Sequence, residues 1–99
     1  MFARVNVLEG PPEQLDEHIR HVREQTLPQF QRQDGFKGLI GLSDRQTGKV
    51  LGITLWENEQ AVRASEEAAN RLRSESAEAG GQTIADIERY EVTLLEVSS

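Results

Sequence analysis

The largely apolar run Phe2-Ala3-Arg4-Val5-Asn6-Val7-Leu8 is broken by polar Arg4 and Asn6 and carries β-branched Val5 and Val7 at alternate positions, and this pattern predicts a strand. Gly10-Pro11-Pro12 stops it, and prolines suit the first turn of a following helix. Leu15, Ile19, Val22, Thr26 and Phe30 then recur at intervals of three and four, which makes one apolar helical stripe. Pro28 removes a backbone donor and should kink the last turn or start a new short one, and Asp34-Gly35 ends the segment. Two further strands, Phe36 to Leu42 and Val50 to Trp56, flank an all-polar linker with Gly48 near its end, as in a hairpin. Asn58 is placed to cap a second helix, Glu59 to Glu78, whose inner face is Ala61, Ala64, Ser65, Ala68, Ala69 and Leu72. Gly80-Gly81 releases that helix, and Ile84 to Val97 reads as a last long strand bent around Asp86 to Glu88. The whole chain, 1–99, is expected to be one α+β domain of β-α-β-β-α-β order.

Two consequences follow from the pattern. The second helix offers almost only Ala and Ser to the sheet, and Gly38, Gly41 and Gly52 on the strands add little volume. Either the layers approach closely or a pocket is left between them. In the third strand, Val50, Thr54 and Trp56 point one way while Leu51, Ile53 and Leu55 point the other. Two helices cover one face of a four-stranded sheet, and a water-facing side should carry polar residues at alternate places. This strand does not, so a second copy of the chain is expected on the other face, as a homodimer.

Composition narrows the partners. Eleven basic residues against 17 acidic ones give a net charge of −6, which disfavours a nucleic-acid backbone or an anionic membrane as partner. There is no cysteine, which removes disulfides, thiolate metal sites and cysteine nucleophiles, and suits a reducing compartment. No apolar run is long enough for a membrane span and the first residues do not read as a secretory leader, so a cytoplasmic location is expected.

The element order, Leu27-Pro28 leading to Gly35-Phe36-Lys37-Gly38, the Thr47-Gly48-Lys49-Val50 hairpin and Ile53-Thr54-Leu55-Trp56-Glu57-Asn58 together resemble the antibiotic biosynthesis monooxygenase-like family. Arg89-Tyr90-Glu91-Val92 adds to the likeness, which runs from Phe2 to Val97. The resemblance implies a ferredoxin-like subunit that pairs sheet to sheet into a dimeric α/β barrel. It also implies a pocket between sheet and helices, near an Asn and a Trp. The family holds cofactor-independent monooxygenases acting on quinol-like molecules, haem-degrading enzymes, and proteins without known activity.

On that footing Trp56 is a candidate ring-stacking residue for a planar substrate, or else a large core plug. Asn6, in a strand position where Asn is unfavourable, is a candidate for holding a ligand oxygen or bound O₂, or else a local hydrogen-bonding residue. His18 borders the apolar stripe and is the better general base of the two histidines; His21 sits among Arg20 and Arg23. No further ligands converge on either histidine, so no metal site is expected. The haem-degrading members use an iron-ligating His on the second helix, where this chain has none. Tyr90 reads as a redox or hydrogen-bonding phenol, or else as a packing residue of the strand. Two functions stand open: a cofactor-independent monooxygenase acting on an aromatic phenol- or quinol-like small molecule, and a non-catalytic or stress-related binding module. A regulatory amino-acid-binding domain shares the element order, and RNA recognition lacks the exposed aromatics and basic surroundings it would need.

Overall fold

A computed structural model describes residues 1–99 as a four-stranded antiparallel sheet with helices packed on one face. The strands are β1 (Phe2–Glu9), β2 (Phe36–Ser43), β3 (Lys49–Trp56) and β4 (Thr83–Glu91), in the spatial order β2-β3-β1-β4. This is the ferredoxin-like arrangement. No helix is long and apolar enough to cross a membrane.

The first helical arm is broken into pieces. A 3-10 turn over Pro12–Gln14 leads into α1 (Leu15–His21), a π-helical turn covers Val22–Thr26, and α2 (Leu27–Phe30) follows. The distortion expected at Pro28 is therefore taken up just before it: Leu27 N–H reaches back to the Val22 carbonyl across five residues. The proline then sits in the first turn of a new helix, where its missing donor costs little.

The second arm also departs from one continuous helix. It comprises α3 (Glu59–Ala64) and α4 (Glu66–Ala79), with a break at Ser65. Asn58 caps α3 by accepting from Ala61 N–H at 2.8 Å. The break has a visible cause, because Arg4 reaches up from β1 and donates to the Val62 carbonyl at 2.7 Å and to Ser65 Oγ at 3.3 Å. It also shifts the phase of the helix. The buried residues become Val62, Ser65, Ala69, Leu72, Arg73, Ser76 and Ala77, while Ala64 is exposed.

Two apolar clusters join the layers. Phe30, Trp56, Val62, Ala69 and Leu72 fill one end, and Leu8, Leu15, Val50 and Ala77 fill the other. The last strand stops at Glu91 rather than running on to Val97, since its neighbour β1 begins at Phe2 and offers no further partner. Val92 N–H bonds Met1 O at 2.9 Å, and Leu94, Leu95 and Val97 beyond it are exposed. The bend expected around Asp86 to Glu88 falls just before those residues, as a register shift opposite Val7 and Leu8 that leaves Ala85 unpaired.

Candidate functional site

The sheet's helix-facing side carries Arg4, Asn6 and Leu8 on β1 beside Thr54, Gly52 and Val50 on β3. On β2 the matching residues are Leu39, Gly41 and Ser43. Asn6, Gly52 and Gly41 thus form one row across three strands, and two of the three lack a side chain. A Cβ built at Gly41 or Gly52 would meet nothing within 4 Å. The space above them is a cavity of about 340 Å³. Its roof is the first helical arm, through His18, Ile19, Val22, Thr26 and Phe30, and α4 closes one side with Ala69, Arg73 and Ser76.

A chain of hydrogen bonds runs along the polar wall. Asn6 donates from Nδ2 to the Gly52 carbonyl at 2.8 Å and accepts at Oδ1 from Arg73 Nε at 2.7 Å. Arg73 also donates from Nη1 to Asn70 Oδ1 at 2.7 Å. Ser76 Oγ donates to the Arg73 carbonyl at 3.0 Å, and His18 Nδ1 lies 3.1 Å from the Ser76 carbonyl. A carbonyl only accepts, so His18 carries its hydrogen on Nδ1 and the neutral ring keeps Nε2 as an acceptor. Burial holds the His18 pKa below the ordinary 6.5, with the nearby His21 adding to the effect and the Ser76 bond opposing it. His18 is therefore neutral at physiological pH.

The three residues expected to form the site are thus separated into two groups. Asn6 and His18 both line the cavity, joined through Arg73 and Ser76. Trp56 does not line it. It is fully buried, edge-on to Phe30 and Phe36, with its indole N–H donated to Thr54 Oγ1 at 2.8 Å. Phe30 and Thr54 stand between the indole and the open space, so the ring supports the wall from behind.

Arg73 was not legible as a site residue from its type, since an arginine on a helix usually faces water. Its position was informative, because it lies four residues after Ala69 and three before Ser76 and so continues the buried face. Arg4 is the second buried arginine. It stands 5.6 Å from the Trp56 ring centre and pairs with Glu66 at 3.2 Å. Glu66 also takes two hydrogen bonds from Arg89, at 2.6 and 2.9 Å. Burial pulls the Glu66 pKa upward, but the two arginines outweigh it and hold the carboxylate below its usual range. No group of three or more His, Cys, Asp or Glu side chains comes together in a way that would hold a metal ion.

No family model matches the chain. Two uncharacterised proteins of Mycobacterium tuberculosis, Rv2557 and Rv2558, are each 34% identical over 95 residues, or 96% of this chain. The chain spans only 42% and 40% of their respective lengths. Among solved structures, a candidate antibiotic biosynthesis monooxygenase from Deinococcus radiodurans superposes with TM-score 0.70 at 17% identity, covering 100% of both chains. SnoaB, a cofactor-independent oxygenase of Streptomyces nogalater, gives 0.69 at 17% identity in a mutant form, covering 95% of this chain and 94% of its own. This chain shares the ferredoxin-like fold of these proteins. The ActVA-Orf6 monooxygenase of Streptomyces coelicolor, in complex with nanaomycin D, agrees with TM-score 0.66 at 15% identity over 97% of this chain and 92% of its own. A dimeric ferredoxin-like protein from an uncultured marine organism gives 0.62 at 8% identity, over 98% and 92% of the two chains. At these identities the overlap is one of fold, and the chemistry has to be argued from the cavity.

Proposed function

We propose that the cavity binds a planar aromatic small molecule and that the protein oxidises it with O₂ as a cofactor-independent monooxygenase. The observation that carries this reading is the flat, side-chain-free shelf of Gly41 and Gly52 beside a neutral imidazole and a fixed amide. A volume of about 340 Å³ suits two or three fused rings. In this mechanism His18 Nε2 takes a proton from a phenol-like or anthrone-like substrate, and Arg73 holds the resulting anion. The anion passes an electron to O₂, and the two radicals join at carbon. With an anthrone, loss of water from the peroxide leaves a quinone. One oxygen atom enters the product, the other leaves as water, and all the electrons come from the substrate. Asn6 Nδ2 and Oδ1 are already engaged, so Asn6 acts by orienting Arg73 and the shelf edge.

Oxygen consumption across a panel of anthrones and quinols tests the activity. Uptake that requires His18 supports it, and uptake no faster than in buffer for every member refutes it. One observation favours the alternative, a non-catalytic binding module: the only Trp is locked into the core instead of facing the cavity.

We further propose that a second copy of the chain covers the outer face of the sheet. That face carries Leu51, Ile53 and Leu55 on β3 and Val5 and Val7 on β1, none of them under a helix. Ile40 and Leu42 on β2 extend it, with 38% and 48% of their surfaces exposed. A species of twice the 11.1 kDa chain mass at micromolar concentration supports the pairing, and a stable monomer refutes it.

A further inference from the structure

The charge around the cavity runs against the charge of the molecule. The chain holds 17 acidic and 11 basic residues. The cavity lining nevertheless contains Arg73, Arg23 and His18 and no carboxylate at all. Arg23 is exposed at the mouth, and Arg73 is buried, with 7% of its surface accessible.

The two buried arginines are handled differently. Arg4 has a carboxylate, Glu66, at 3.2 Å. Arg73 makes no ion pair: its partners are Asn6 Oδ1 and Asn70 Oδ1, two neutral amides. These fix the direction of the guanidinium without neutralising it. Its remaining nitrogen, Nη2, is buried without a partner, as are Arg4 Nε and Nη1, so the contrast between the two arginines lies in the carboxylate that only Arg4 has. A buried charge left uncompensated is costly, and a fold retains one where something else supplies the counter-charge. Guanidinium groups match carboxylates and related oxyanions in geometry as well as in charge.

We propose that the ligand of this cavity is a planar organic anion, its ring lying on the Gly41–Gly52 shelf and its anionic oxygen meeting Arg73. This rests on the aromatic-ligand reading above and adds the charge. The oxygen belongs either to a carboxylate substituent or to an ionised ring hydroxyl, and one experiment separates the two. Isothermal titration calorimetry on the full chain at neutral pH would compare 2-naphthoate with the neutral 2-naphthamide. A second pair would compare ionised 2-hydroxy-1,4-naphthoquinone with 1,4-naphthoquinone. The expected result is that at least one anion binds at least about tenfold more tightly than its neutral partner. Arg73→Met removes that preference and Arg73→Lys retains part of it, with circular dichroism confirming that each is folded. Preference in the first pair assigns a carboxylate, and preference in the second assigns a ring oxygen. Equal affinity within both pairs overturns the anion while leaving the aromatic-ligand reading intact. An anion preference without oxygen uptake leaves the anion standing and removes the oxygenase. No binding of any of the four overturns both. Because the paired ligands are compared on the unaltered protein, the result stands even if Arg73→Met fails to fold.

Discussion

The helix-facing side of the sheet is filled at the Trp56 end and hollow next to it, around Gly52 and Gly41, before the smaller Leu8–Val50 cluster closes the far edge, although β3 runs through all three. At the Trp56 end, the indole, Phe30, Phe36, Val62 and Leu72 interlock, and the indole N–H is satisfied within the strand by Thr54. Four residues earlier on the same face, Gly52 meets Gly41 across the hairpin and nothing stands above either. The filled end secures the fold, and the hollow end is free to serve a ligand. Stability and binding should therefore respond to opposite kinds of substitution in the two halves.

The largest expected effect is at the filled end. Trp56→Ala should cost about 3–5 kcal/mol of stability, because it opens a cavity that Phe30 and Leu72 cannot close. Urea denaturation reads this directly, and a loss below about 1 kcal/mol would show that the two ends are packed alike. Asn6→Ala comes next, at about 1–3 kcal/mol, since it takes a partner from buried Arg73 Nε and leaves the Gly52 carbonyl without its side-chain donor. That variant should also weaken ligand binding, as Trp56→Leu should not if it folds.

Smaller effects lie at the cavity wall. The folded-state pKa of His18 is depressed, first by burial, so the folded protein takes up a proton at this site less readily than the unfolded chain. The associated stability is fully present above 6.5, the ordinary imidazole value, and is lost as the pH falls from there through the lower folded value. His18→Gln should flatten that fall in a series of urea midpoints taken across the same range. The smallest effect on stability is expected from Gly52→Val, neutral or stabilising by up to about 1 kcal/mol, because strand glycines are weak and the site has room. The same change should abolish ligand binding, which is the sharpest form of the contrast between the two ends.

The sequence made much of the architecture legible and less of the site. Strand parity alone placed Val50, Thr54 and Trp56 on the face that the structure buries, and Leu51, Ile53 and Leu55 on the opposite one. Alternation is a local property, so it survives without tertiary knowledge. The course of the helices was less accessible. The break at Ser65 depends on a guanidinium arriving from β1, 61 residues away in sequence. The end of β4 at Glu91 depends on where its neighbour begins. The small residues of α4 and the strand glycines suggested a hollow, which lies under the first helical arm more than under the second. Asn6 was visible as an unfavourable strand residue. Arg73 was hidden by its type, since only its neighbours show whether an arginine faces water or the interior.

The central claim is that the Gly41–Gly52 end is a binding site and the Trp56 end is not. Amide chemical-shift mapping on titration with 2-naphthoate tests it most directly. The account predicts shifts concentrated at Gly41, Gly52, Ala69 and Ser76, with a matching change at Arg73 Nε, while Val62 stays still. Shifts centred on Val62 and Phe36, or on Leu51 and Ile53 of the outer face, would contradict it.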